Sequence, residues 1–192
     1  MEIPLHKAVR EADSAAVRKL IEGSANVNER NDQGATALHL AVKDQNKMVI
    51  QILKDCGADI NAKTKLGGTP LHWAVLGDYK LGVTLLISYG ANVDAADVDW
   101  MTPLFWAVIK GYDSIAFKLV YEQASINIKN KIVGKTPLHY AAVSGNFNMV
   151  MFLVDHGARI DEPSTAGLTA IQYAQGFPDI VEWLTNKIQS SY

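Results

Sequence analysis

A chain of 192 residues, 48% of them hydrophobic, is long enough for one ordinary domain or a short repeat array and apolar enough to bury a sizeable core, which excludes a disordered polypeptide. Its 18 Lys and Arg stand against 20 Asp and Glu, a formal net charge of -2. That balance lacks the basic excess of a nucleic-acid or membrane-surface binder.

The chain opens on Met1–Lys7, which has neither the apolar core nor the cleavage site of a signal peptide. No uncharged apolar run approaches the ~18 to 20 residues that span a bilayer. The single cysteine, Cys56, cannot form an intramolecular disulfide and fits a reducing compartment. We therefore expect a soluble protein of the cytoplasm, with the nucleus as the alternative, no nucleic-acid partner and no direct membrane insertion.

One phrase returns along the whole chain. It reads Ile3-Pro4-Leu5-His6-Lys7-Ala8, then Thr36-Ala37-Leu38-His39-Leu40-Ala41, then Thr69-Pro70-Leu71-His72-Trp73-Ala74. It continues as Thr102-Pro103-Leu104-Phe105-Trp106-Ala107, Thr136-Pro137-Leu138-His139-Tyr140-Ala141 and Thr169-Ala170-Ile171-Gln172-Tyr173-Ala174. Successive phrases start 33, 33, 33, 34 and 33 residues apart, a register that chance does not hold over this length. The repeats run approximately over 1–30, 31–63, 64–96, 97–130, 131–163 and 164–192, within one domain of 1–192.

Each phrase predicts a helix. Thr caps its start, Pro suits the first helical position, and the third and sixth places face inward together, where a small Ala allows close approach. The first repeat has no preceding turn and begins almost at the phrase, as an N-terminal cap would. In the second, an apolar stripe of Val49, Ile50, Ile52 and Leu53 predicts a second helix that stops at Gly57. The third breaks at Leu76-Gly77-Asp78, stops at Gly90 and continues into Val93-Asp94. In the fourth, Trp100 stands where the other inter-repeat turns have Gly34, Gly67, Gly134 and Gly167. Trp is costly at a positive φ, so an altered turn is expected there. The fifth absorbs the extra residue of the 34-residue step in the turn Ile128–Lys135, and its second helix carries Met149, Val150, Phe152 and Leu153 before Gly157. The sixth is shortened at Gly176–Asp179 and ends on the polar Asn186, Lys187, Gln189 and Ser190, a C-terminal cap. With both caps accounted for, a whole small protein or a cleanly bounded domain is expected. One helix pair cannot cover its own apolar face, so neighbouring pairs must stack.

The period, the Thr-Pro-Leu-His-x-Ala phrase and endings such as Gly57-Ala58-Asp59-Ile60-Asn61 resemble ankyrin repeats over essentially the whole chain. The resemblance implies an all-α repeat protein, an ankyrin solenoid of helix-turn-helix units with projecting β-hairpin fingers. It also implies a structural histidine in each turn. His6, His39, His72 and His139 occupy one place in separate repeats, and packed helices lie ~8 to 10 Å apart, too far for two imidazoles to share one ion at ~2 Å. Cys56 has no histidine nearby in sequence, and no phosphate loop, paired-cysteine motif or nucleophile elbow occurs. We expect no enzyme, no metal and no cofactor.

Groove-facing places in this architecture are the fifth of the phrase, one or two positions after its Ala, and most of the finger. The fifth place reads Lys7, Leu40, Trp73, Trp106, Tyr140, Tyr173; two after the Ala come Leu76, Ile109 and Val143. The fingers add Leu66, then Val98, Trp100 and Met101, then Ile132 and Val133. Aromatic residues and Met are the adaptable anchors of binding surfaces. A groove over repeats three to five is therefore expected, holding an apolar segment of another protein on Leu66, Trp73, Leu76, Trp100, Met101, Trp106, Ile109, Ile132, Val133, Tyr140 and Val143, with the chain itself monomeric. The alternative for the aromatic and aliphatic places is packing between repeats. Leu71-His72-Trp73-Ala74 and Leu104-Phe105-Trp106-Ala107 are also similar to phrases in the ankyrin domains of membrane palmitoyltransferases. That gives a second expectation, a recruiting domain of a larger enzyme; a third is a stand-alone inhibitor or host-directed effector.

Overall fold

The computed structural model describes residues 3–190; Met1, Glu2, Ser191 and Tyr192, at the outer ends of the first and last repeats and of the Met1–Lys7 leader reading, lie outside the described residues. Helices follow in pairs: α1 (Pro4–Arg10) and α2 (Ser14–Glu22), α3 (Ala37–Lys43) and α4 (Lys47–Asp55), α5 (Pro70–Leu76) and α6 (Lys80–Ser88). Then come α7 (Pro103–Lys110) and α8 (Asp113–Tyr121), α9 (Pro137–Val143) and α10 (Phe147–Asp155), α11 (Ala170–Tyr173) and α12 (Pro178–Gln189). No strand occurs among the described residues. The chain divides into two compact units, residues 1–98 with α1–α6 and residues 99–192 with α7–α12. In the first unit each pair packs together and α3 lies against both α1 and α5; in the second, α9 lies against both α7 and α11.

The phrase explains this stacking. Leu5, Leu38 and Leu71 in the first unit, and Leu104 and Leu138 in the second, are buried, and so are Ala8, Ala41, Ala74, Ala107, Ala141 and Ala174. On the second helices Val49, Ile50, Ile52 and Leu53 are all buried, as are Met149, Val150 and Leu153. Phe152 is only half-buried, because its ring lies against Phe117, Tyr121 and His156 on the outer side of the second unit. Gly57, Gly90 and Gly157 end their helices at φ 84°, 87° and 96°, the left-handed stop that the sequence requires.

Within the units, three asparagines tie one ending to the next. Asn28 donates through its amide to the Gly57 carbonyl (3.1 Å) and accepts from the Asp59 N–H (2.7 Å). Asn61 repeats this with Gly90 (3.2 Å) and Asn92 (2.8 Å), and Asn127 in the second unit does so with Gly157 (2.9 Å) and Arg159 (3.0 Å). A side chain that donates and accepts at once is needed, which Asn supplies.

The fingers are tight loops, and in four of them a backbone bond closes the base: Asn31 N–H to Ala35 (3.0 Å), Thr64 to Gly68 (2.9 Å), Asn130 to Lys135 (3.0 Å) and Ser164 to Leu168 (2.9 Å). The Asn130–Lys135 loop is the longer one, so the extra residue sits where the sequence places it. Neighbouring fingers are joined by a backbone bond each, Lys65 N–H to Gln33 (2.9 Å) and Val98 to Leu66 (3.1 Å) in the first unit, Lys131 to Asp99 (2.9 Å) and Thr165 to Val133 (3.1 Å) in the second. The turn at Trp100 is not altered, contrary to expectation. Trp100 has φ 59°, beside 78° at Gly34, 78° at Gly67, 59° at Gly134 and 74° at Gly167. The Asp99 carbonyl just before it must point at the next finger, so the backbone keeps the turn and the side chain bears the strain.

At four repeats the phrase's Thr and the residue three places on form a reciprocal cap: Thr36 with His39, Thr69 with His72, Thr136 with His139 and Thr169 with Gln172. The Thr36 N–H donates to His39 Nδ1 (3.2 Å), which therefore lacks a proton. Nε2 then carries the hydrogen and donates to the Gly68 carbonyl (3.2 Å), just before the next phrase. His139 does the same with Leu168 (3.2 Å), and His6 donates to Ala35 (2.9 Å). Two repeats break the pair and show its logic. With Ile3 in place of Thr, His6 Nδ1 is buried without a partner; with Phe105 in place of His, Thr102 Oγ1 is the orphan.

Burial lowers the His39 pKa from its ordinary 6.5 to about 4, with the Arg30 charge in the same direction and the Gly68 carbonyl and Asp59 opposing. His139 is lowered too, by burial first and then by Lys135 and Lys129, against the Leu168 carbonyl.

Three outcomes follow from these contacts. Leu138→Ala removes a fully buried side chain and should cost ~2 to 5 kcal/mol in denaturant unfolding; a loss below ~1 kcal/mol contradicts the inward placement. Thr136→Val should cost ~1 to 2 kcal/mol by unmaking the cap, whereas Thr102→Val removes an orphaned hydroxyl and should be neutral or stabilising. Between pH 6.5 and about 4 the unfolded chain binds a proton at His39 that the folded chain refuses. Stability is thus undiminished above pH 6.5 and falls as pH falls through that window, by about 3 kcal/mol at ~1.4 kcal/mol per unit. His39→Gln, which copies the Gln172 cap, should flatten the slope in melts compared across that range.

Candidate functional site

The histidine column is bonding machinery, since both ring nitrogens of His39 and His139 are engaged within their units. Among the described residues no group of three or more His, Cys, Asp or Glu is placed to hold a metal ion. Nor is any helix long and apolar enough to cross a membrane.

The fifth place has a double character. Leu40, Trp73, Trp106, Tyr140 and Tyr173 are all half-buried. In the first unit the Trp73 ring meets His39 edge-on at 5.1 Å between centroids. In the second, Tyr140 meets Phe105 at 5.9 Å and Tyr173 meets His139 at 5.5 Å. Each ring thus braces the fourth-place ring of the repeat before it. The tyrosine hydroxyls reach the bases of their own fingers: Asn130 donates to Tyr140 Oη (3.2 Å), and Ser164 lies 3.1 Å from Tyr173 Oη. Tyr140 and Trp73 are therefore partly packing residues, and only one side of each ring is open.

The fingers and the turns after the first helices are the exposed apolar surface. Leu66 is 73% exposed in the first unit, and Leu76 is exposed as well. In the second unit Trp100 is 55% and Ile132 67% exposed, with Val133, Ile109 and Val143 also open to solvent. Met101 departs from expectation: it is buried at 6%, because the residue before the phrase sits at the base of the finger rather than at its tip. It offers a partner almost no surface.

Positive φ at a non-glycine residue is shared by Ala12, Ser24, Gln45, Asp78 and Gln123, small or polar residues at helix ends. Trp100 is the bulky one. The cost of placing a side chain in such a finger is visible at Gly34, where an added Cβ would stand 2.8 Å from the Lys65 nitrogen, and at Gly67, 2.8 Å from the Asp97 Cα.

Two features escaped the sequence reading. Leu168, exposed, sits at the finger base of the last repeat. On the second helices of the second unit, the Phe117 and Phe152 rings lie 4.1 Å apart between centroids, Tyr121 stands edge-on to Phe152 and to His156, and His156 lies tilted against Phe152. The spacing of 117 to 121 and of 152 to 156, four residues on one helix face, is the signal that marks this cluster.

The model of the ankyrin repeats (3 copies) family matches residues 5–97, 50–130 and 104–191. No curated protein matches the chain by sequence. The ankyrin repeat domain of Bcl-3, described as a unique member of the IkappaB protein family, is 26% identical to it. That crystal structure superimposes with a TM-score of 0.88 over 96% of this chain and 86% of its own. With its 33-residue phrase, paired helices, Thr–His caps and bonded fingers, this chain belongs to the ankyrin-repeat family, whose domains bind other proteins.

Proposed function

We propose that the chain is a protein-interaction module that acts by holding an apolar segment of a partner on its fingers and first-helix turns, and not by catalysis. The residues in play are Leu66, Trp73 and Leu76 in the first unit and Trp100, Trp106, Ile109, Ile132, Val133, Tyr140 and Val143 in the second. The observation that supports it most directly is Trp100. A bulky aromatic is kept at φ 59° and more than half exposed, at a place where four other fingers have glycine. Such a residue in the left-handed region costs on the order of 1 to 3 kcal/mol and gains little from packing while it is exposed. Strain retained for an exposed Trp points to contact with something else, and Trp is the residue type most often found at the centre of binding surfaces.

The test is a sign split. Trp100→Gly relieves the strain, so folding stability should rise, by roughly 0.5 to 1 kcal/mol. Capture of a partner by the immobilised chain should nonetheless fall, with an affinity loss of ~2 kcal/mol or more if Trp100 is a central anchor. Lys54→Ala and Lys118→Ala, on second helices, should leave both quantities alone. A Trp100→Gly chain that is less stable, or that binds its partner as before, overturns the reading.

A further inference from the structure

The residue just before the phrase is Ala35, Gly68, Met101 and Leu168 in four repeats, and Lys135 in the remaining one that has a finger. This is a finger-base place, and Lys135 is half-buried there. Its ammonium lies 4.0 Å from the centroid of the Tyr173 ring and 5.6 Å from that of Tyr140. No carboxylate or other acceptor among the described residues bonds it. The nearby carboxylate of Glu162 is committed elsewhere, 2.6 Å from Lys129 and 3.5 Å from Arg159.

An ammonium set over aromatic rings recovers only part of the hydration it gives up. The fold does not require the charge, because Ala, Gly, Met and Leu serve at the same place. On its own finger and the first-helix turn of its repeat the second unit exposes Ile132, Val133 and Val143, and Leu168 holds the same place in the next repeat; no bond to the Lys131 ammonium occurs among the described residues. A cation without an anion, set among open apolar side chains, is the complement of a segment in which acidic and apolar residues adjoin.

We propose that Lys135 receives a carboxylate from the partner segment, which is an extended peptide carrying Asp or Glu next to large apolar side chains. This rests on the finger-side binding reading and adds the partner's chemistry to it. The carboxylate takes the open side of the ammonium while its apolar neighbours cover Val143 and the finger of Ile132. Held against two rings and away from bulk water, that bond is a charge-assisted one, stronger than a solvent-exposed pair.

The experiment pans a displayed library of random dodecapeptides over the immobilised full chain, and in parallel over Lys135→Met, which keeps the stem, and Lys135→Glu, which reverses the charge. Circular dichroism and melting temperature confirm that all three are folded. The expected pool from the native chain is rich in Asp or Glu beside Leu, Ile or Phe. Lys135→Met should keep the apolar enrichment and lose the acidic one, and Lys135→Glu should favour Lys or Arg at that place. A recovered acidic peptide, titrated as a labelled ligand, should bind Lys135→Met about tenfold more weakly, as loss of a charge-assisted hydrogen bond dictates. Apolar peptides without acidic residues, or an acidic preference that survives Lys135→Met, overturn the role of Lys135 and leave the binding surface standing. A pool with no apolar preference on the native chain overturns the surface, and this inference with it.

Discussion

Much of the structure depends on one imidazole doing two jobs. At His39 and His139, Nδ1 accepts from the Thr that opens its own helix, and the tautomer this imposes makes Nε2 a donor to the carbonyl before the next phrase. Local helix capping and repeat-to-repeat register are thereby fixed by the same ring. Because the acceptor is a part-buried backbone carbonyl of the next finger base, the next repeat cannot slide without breaking that bond. The asparagine bridges from Asn28, Asn61 and Asn127, and the finger-to-finger bonds, repeat that constraint at other levels of each unit. Apolar burial supplies the attraction between helix pairs, and these polar links choose the one register in which it is realised.

The constraint also explains which deviations the chain tolerates. Phe105 replaces the His at a place that is still fully buried, so the packing volume is kept while the Thr102 hydroxyl loses its partner. Trp100 replaces a glycine, and the finger keeps its conformation because the Asp99 carbonyl remains bonded to Lys131. Lys135 replaces a small or apolar residue and lodges its charge against two tyrosines. All three lie in the second unit, in the fourth and fifth repeats, the region where the exposed apolar side chains of the fingers are also largest. A repeat scaffold leaves its loops free to vary because the helices carry the stability. The departures from the repeat pattern are therefore the places to look for what this chain does that another ankyrin-repeat domain does not.

The fifth-place aromatics show why exposed chemistry is harder to read than a core. From sequence, Trp73, Trp106, Tyr140 and Tyr173 were equally consistent with a binding stripe and with packing. Within the units Trp73, Tyr140 and Tyr173 are both: each is an edge-on brace against the preceding repeat and is still only half-buried. Met101 fell on the wrong side of that division, since the base of its own finger is buried while Trp100 at the tip is exposed.

What the sequence determined by itself was the architecture. A strict period, a capping Thr, an inward Leu and Ala and a glycine stop each encode a local backbone choice, and local choices are legible because neighbouring residues make them. The location of the extra residue in the fifth finger was readable for the same reason. What only the tertiary structure decided were quantities set by residues about 30 positions away. These include the carbonyl that each histidine reaches, the ring that each tyrosine braces, the burial of Met101 and the conformation forced on Trp100. The Trp100 φ follows from a bond between the Asp99 carbonyl and the Lys131 amide of the following finger, and no propensity of tryptophan or of its immediate neighbours foretells it.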